Sequence, residues 1–295
     1  MKYQGLTSYH LKLIAIIIMF IDHMGAILFP RVLFLRMIGR IAFPIFAYLI
    51  AEGASHSHNR LNYFFRLLSF AFISETFFDI AFHSELNYSI NTNVFFTLAF
   101  AIATIYIYER LQVLSKEVNY LSGVITIILI FGFKYLIDTR FLSRSSVLML
   151  MLGTVIALIV ILANLKTKKD EVNHVLCLIP SLLILYLTYV MHTDYGVRGV
   201  LMIVLIYLAK GRINKLTMMA LGIFMIYGLN VAYDLMKLNS FYLVYDLAFY
   251  LFANIALVLI YNYNGLLGKK MKWFFYIFYP LHIAILYFLA NIIKA

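Results

Sequence analysis

Long apolar runs separated by short polar connections make up nearly the whole chain. A helix that spans a bilayer needs about 20 apolar residues, within a range of about 17–25, and about eleven segments meet that criterion. They lie at residues 10–29, 33–53, 61–82, 93–112, 119–137, 145–164, 172–191, 195–210, 214–230, 241–262 and 272–293. The segments at 195–210 and 214–230 are short for a span, which predicts tilted, re-entrant or bundle-buried helices there. No Ser/Gly-rich linker, internal repeat or low-complexity tract breaks the pattern, so residues 1–295 read as one domain. The predicted fold class is all-α: a polytopic integral membrane bundle of about 10–11 transmembrane helices. The first run carries Asp22 and His23 and lacks a small-residue cleavage site, so it reads as a retained helix.

Composition supports that class. The chain is 64% hydrophobic and 13% charged, against about 45–50% and 25% in globular proteins. A water-soluble protein could not hide this much apolar surface, and the many Tyr and Phe residues suit membrane interfaces. A net charge of +11 would suggest nucleic acid in a soluble protein. Here the Lys and Arg residues lie mostly in short connections, where they set topology and meet anionic lipid headgroups, so no nucleic-acid partner is expected. Counted over alternate connections, the segments on the amino-terminal side hold about fifteen basic residues and the opposite segments about eight, which places the N-terminus in the cytoplasm. The connection around Arg140 runs against that bias. The single cysteine, Cys177, can form no intrachain disulfide and reads as a small core or lipid-facing residue.

Charged residues inside the apolar runs are the functional signal, because each costs at least about 2.5–3.5 kcal/mol at the centre of a membrane helix. Asp22 and His23 sit together in the first run. Arg36 and Arg40 are four apart in the second, with Gly39 allowing close helix approach and Pro44 kinking the chain. Glu75 and Asp79 are four apart in the third, so a buried arginine pair opposite a buried carboxylate pair would neutralise both. At 1.5 Å per residue, Asp22, His23, Arg40 and Glu75 reach a similar depth. Adjacent helical residues point about 100° apart, so Asp22 is not expected to orient His23 directly. His282 follows Tyr279-Pro280-Leu281 near the middle of the last run. These residues read as a reaction site or as a structural ion-pair network. His56 and His58 lack further ligands nearby, so no metal is predicted. Asn91 and Asn93 read as helix caps or as residues facing the site.

These motifs resemble the TraX family of membrane proteins. The resemblance rests first on Leu11-Lys12-Leu13-Ile14-Ala15 running into Met19-Phe20-Ile21-Asp22-His23-Met24-Gly25. It continues through Arg36-Met37-Ile38-Gly39-Arg40-Ile41-Ala42-Phe43-Pro44-Ile45-Phe46 and Glu52-Gly53. Arg66-Leu67-Leu68-Ser69-Phe70-Ala71 with Ser74-Glu75, Asn93-Val94-Phe95-Phe96-Thr97-Leu98 and Tyr279-Pro280-Leu281-His282 complete it. The segment at about 115–190 matches no motif.

The resemblance implies N-terminal acetylation of conjugative pilin, in the bacterial cytoplasmic membrane. It also implies kinship with transmembrane acyltransferases that take acyl-CoA from the cytoplasm and modify acceptors on the far side. Their early-helix catalytic histidine would be His23. The acceptor does not carry over, because many such proteins have no pilin to modify; a peptide N-terminus or a cell-surface glycan both remain. Acetyl-CoA is then the expected donor. His23 would serve as general base or take the acyl group itself, with Glu75 or Asp22 fixing its tautomer. Arg40 would stabilise the oxyanion, and His282 would be a second proton carrier. Arg36, Arg60, Lys269 and Lys270 are candidates for the coenzyme A phosphates, although membrane topology explains the basic connections equally well. The rival class is a proton-coupled transporter or flippase, which also uses intramembrane His and carboxylates; a non-catalytic scaffold is the third.

Overall fold

In the computed structural model, which describes residues 5–82, 91–114, 116–139, 143–165, 179–237 and 240–294, the apolar runs form helices. They are α1 (Ser8–Ile27), α2 (Leu33–Gly39), α3 (Ala42–His56), α4 (Arg60–Phe82), α5 (Val94–Leu111), α6 (Lys116–Asp138) and α7 (Arg144–Asn164). Then follow α8 (Ser181–Val190), α9 (Gly196–Leu208), α10 (Arg212–Ile223), a π-helical turn (Phe224–Gly228), α11 (Leu229–Met236), α12 (Ser240–Tyr261) and α13 (Lys272–Lys294). Among the described residues the only β pairing is two isolated bridges, Leu6 with Tyr263 and Thr92 with Thr193. Cys177, Arg140, and Lys166, Lys168 and Lys169 lie outside the described residues, as does the first part of the 172–191 segment.

Seven helical runs among the described residues are long and apolar enough to cross a bilayer, and shorter apolar helices occupy Ser146–Ile159, Ser181–Val190 and Gly196–Leu208. The chain is therefore an all-α, multi-pass membrane protein. Exposed Ile128, Phe131, Phe288 and Ile293 give it the apolar outer surface that lipid contact requires.

Two sequence expectations shift in detail. The 214–230 segment is not short: α10, the π-turn and α11 join into one run, Arg212–Met236, of 25 residues. The polar Asn230 and Asp234 end the apolar pattern but not the helix. The 33–53 segment breaks at Arg40-Ile41, before Pro44. There the Arg40 and Ile41 amides turn back to the Met37 and Ile38 carbonyls, each at 3.1 Å. Pro44 falls in the first turn of α3, where its missing N–H leaves no helix bond unmade.

The chain divides into two compact units. One comprises the described residues of Met1–His56, Phe72–Leu86 and Leu201–Ala295. Here α1 starts because Thr7 caps it. The Thr7 hydroxyl accepts from the His10 amide at 3.4 Å, and the Thr7 amide donates to His10 Nδ1 at 3.2 Å. The Leu6 amide donates to the Asn262 carbonyl at 2.8 Å and the Ser8 amide to the Leu266 carbonyl at 2.8 Å, tying the start of α1 to the α12–α13 connection. α1 then packs on α2, α3 and α13, and α12 packs on α2, α3, α10 and α11. Buried Ala15, Ala47, Ala51 and Ala54 permit close approach.

The other unit comprises the described residues of Ser57–Ala71 and Asn87–Val200. Its α5 is apolar on all sides and correspondingly buried, from Phe95 through Ile105. It packs on α7 and α8, which also pack on each other and on α6. Asn93 caps α5 as expected, accepting from the Phe95 amide at 2.9 Å and donating to the Ala71 carbonyl at 2.8 Å.

Candidate active site

The helical repeat of α1 sends Asp22 and His23 to different partners. Asp22 turns to α2. Its Oδ2 accepts from Arg36 Nη1 and its Oδ1 from Arg40 Nη2, each at 2.8 Å. Arg36 Nη1 also reaches the Asp22 carbonyl at 3.3 Å, and Arg40 Nε donates to the Arg36 carbonyl at 3.0 Å. The Arg40 guanidinium lies 5.4 Å from the ring centroid of Phe249 on α12. Gly39 is what lets the carboxylate in: a Cβ at that position would collide with the Asp22 carboxyl group. The close approach expected of Gly39 is thus an approach to Asp22. Both arginines of the pair bond to Asp22, a carboxylate partner that the spacing of Glu75 and Asp79 did not point to. Which helix lies beside α2 is a matter of tertiary packing that a spacing of four residues does not encode.

His23 turns to α13. Its Nδ1 lies 2.7 Å from Nε2 of His282, and the rings are parallel within 5°, with centroids 4.9 Å apart. His282 Nδ1 lies 2.7 Å from the Phe278 carbonyl oxygen, one turn back on α13. A carbonyl only accepts, so that network assigns the His282 proton to Nδ1 and leaves Nε2 as acceptor. His23 Nδ1 then donates into it, and the lone pair of His23 falls on Nε2. Among the described residues, Nε2 takes no hydrogen bond. Both histidines are buried, at 9% and 3% exposure. Phe82 and Tyr279 stand edge-on to His23 at 5.5 and 5.9 Å, and Phe278 stacks on His282 at 4.9 Å. The site is an imidazole base on an imidazole relay, walled by aromatic rings.

α4 reaches His23 through Phe82. Glu75 is seven residues earlier on the same helix, about 10 Å back along its axis. Glu75 and Asp79 are both fully buried. The tautomer of His23 is set by His282, not by Glu75 or Asp22.

Of the residues expected to meet coenzyme A, Arg36 is engaged by Asp22. Lys269 and Lys270 are exposed on the α12–α13 connection, with Lys269 Nζ 6.0 Å from the Tyr9 ring. Arg60, in the other unit, pairs with Glu109 at 2.9 Å. Arg60 and Glu109 line a cavity of about 300 Å³ with His58, Tyr106 and Arg110. Arg110 Nε donates to the Leu162 carbonyl at 2.7 Å. The sequence reading missed the ion pair of Glu52 on α3 with Lys215 on α10. It also missed Asp234 and Asp246; Asp246 carried the signal used for Asp22, a carboxylate inside an apolar run, whereas Asp234 lies just past the end of one. Among the described residues, no group of three or more His, Cys, Asp or Glu could hold a metal.

Ionisable side chains from α1, α2 and α13 converge inside helices built for a bilayer, which defines a multi-pass membrane protein with a polar intramembrane site. The TraX protein family profile matches residues 8–152 and 141–290, and the chain belongs to that family. A relative named "Probable fimbrial assembly protein FimC, serogroup H1", from Dichelobacter nodosus, is 38% identical over 113 residues. That match covers 34% of this chain and 46% of the relative, so it spans about half of the relative's length. No solved structure matches.

Proposed function

We propose that the protein is a membrane-embedded acetyltransferase that moves an acetyl group from acetyl-CoA to an amine or hydroxyl acceptor. The observation that carries this reading is the free Nε2 lone pair of His23, set by the hydrogen bond from His23 Nδ1 to His282. A base of this kind takes the acceptor proton as the acceptor attacks the thioester carbonyl. With an amine, the N–C bond forms, the C–S bond breaks, and coenzyme A leaves as the thiolate. The proton held on His23 Nε2 then passes to that thiolate. While His23 is protonated, its Nδ1–H donates into His282, which spreads the charge over two rings. Arg36 and Arg40, both held by Asp22 next to His23 in the chain, bring guanidinium groups suited to the developing oxyanion.

The exposed Lys269-Lys270 pair fits the phosphates of coenzyme A better than Arg36 or Arg60, which are held by carboxylates. The excess of basic residues on their side favours the cytoplasmic face, in our reading that of a bacterial plasma membrane. The whole chain, residues 1–295, acts as one transferase domain. The relative named for fimbrial assembly favours a peptide N-terminus over a glycan as acceptor, in pilus- or conjugation-related processing.

The test uses purified protein in proteoliposomes with acetyl-labelled acetyl-CoA. Release of free coenzyme A by wild type and its loss in His23→Ala are expected. No turnover by wild type overturns the transferase, and solute flux coupled to a proton gradient would replace it with a carrier.

A further inference from the structure

One pair of intramembrane carboxylates takes no part in the steps above. α11 is inside-out: Tyr233, Leu235 and Met236 are exposed, and the one buried residue of the helix is Asp234, at 6% exposure. Its Oδ2 is buried and, among the described residues, accepts no hydrogen bond. Asp246 on α12 faces it across the hairpin, within hydrogen-bonding reach. Among the described residues, no Lys, Arg or His forms an ion pair with either. Two carboxylates this close cannot both stay ionised unless a cation lies between them; a shared proton meets that need when nothing is bound, and a bound cation displaces it.

Position and chemistry narrow what brings that charge. Phe249, three residues after Asp246 on α12, is the ring under the Arg40 guanidinium. The carboxylate pair therefore sits about one turn, roughly 4.5 Å along the axis, from the layer that holds Asp22 beside His23. The π-helical turn at Phe224–Gly228 packs on α12 and precedes α11; such turns re-aim the residues that follow them. Two carboxylates fall short of the six to eight oxygens that calcium takes, and the described residues offer no third protein ligand. A primary ammonium brings one positive charge and three N–H donors, enough to bond both carboxylates including the open Oδ2 of Asp234.

We infer that Asp234 and Asp246 form the subsite that receives a primary ammonium group, that of the acceptor amine. The inference rests on the transferase reading for the word acceptor; the ammonium site itself is tested without acetyl-CoA. Binding of a short alanine peptide amide with a free amino terminus is compared with its N-acetylated counterpart. The protein is held in phosphatidylcholine nanodiscs, whose lipid has no primary amine. The free amine should bind about tenfold or more tightly, and Asp234→Asn or Asp246→Asn should each remove the preference. Equal binding of the two peptides by wild type overturns the site, as does a preference retained in both variants. Calcium binding lost in Asp234→Asn with no amine preference overturns it in favour of a cation site. Wild type alone gives a second measurement, independent of whether the variants fold. Methylammonium should displace the free-amine peptide and tetramethylammonium, a cation with no N–H donors, should not; equal displacement overturns the site. Amine preference without acetyl-CoA turnover supports the subsite and removes the transferase; turnover without preference does the reverse.

Discussion

Replacing Asp22 with asparagine removes the one carboxylate that Arg36 and Arg40 share while keeping its size. The structure sets the expected cost. The Asp22 and Arg40 side chains are 11% and 15% exposed, so Arg40 loses its counter-charge in a largely dry place. Removing one partner of a buried pair costs about 3–5 kcal/mol, and we take the lower end because the Arg36 carbonyl still accepts from Arg40 Nε. Arg36, 32% exposed, adds about 0.5 kcal/mol after solvent screening. Asp22→Asn should therefore destabilise the protein by about 3–4 kcal/mol, measured by reversible denaturant unfolding in detergent micelles followed by circular dichroism. Adding Arg40→Met removes the orphaned charge and should restore about 2 kcal/mol, a coupling that a double-mutant cycle reports directly. A cost below about 1 kcal/mol, or strictly additive single mutants, would refute the clamp as a buried ion pair.

Further expectations follow from neighbouring contacts. Gly39→Ala places a methyl group against the Asp22 carboxyl and should cost about 1–3 kcal/mol in the same unfolding assay, whereas alanine at exposed Gly132, which meets no neighbouring atom, should be nearly neutral. Lys215→Met leaves the half-buried Glu52 with only His56 nearby, 3.8 Å away, and should cost about 1–3 kcal/mol; Glu52→Gln in the same chain should recover part of it. Tyr263, beyond the end of the α12 span, has its phenol pushed above the ordinary value near 10 by burial and then by the Glu52 carboxylate. The folded state thus holds that proton more tightly than the unfolded chain, so the Tyr263 contribution is intact below pH about 10 and falls away as pH rises further. Comparison of unfolding midpoints for wild type and Tyr263→Phe across that range should show the difference. His282→Ala should lower kcat for acetyl-CoA turnover by about 100-fold with little change in KM, because the relay acts on the proton and not on substrate binding.

Much of the fold was legible because a bilayer demands long apolar helices, and the intervals between connections mark them. The breaks were less so. Arg40-Ile41 ends α2 and Pro44 merely follows, since a polar turn at a helix end and a proline kink leave the same trace in sequence. The site was half legible. Asp22, His23, Arg36, Arg40 and His282 all stand out as ionisable groups in apolar surroundings, and the 100° step between Asp22 and His23 correctly separates their partners. What spacing could not supply was the identity of the partner helix. Asp22 bonds both arginines, and His282 meets His23 from the far end of the chain, 259 residues away. Asp234 was hidden by the same limit, for only the packing of α11 shows that its acidic residue faces inward.

His23 is the proposed base of an acetyl transfer. Its most direct test is the rate of thiol release from acetyl-CoA by wild type, His23→Ala and His23→Gln in matched detergent micelles, with folding checked by melting temperature. Turnover by wild type and a loss of at least about 100-fold in both folded variants are expected. Wild-type rates in either folded variant would contradict it.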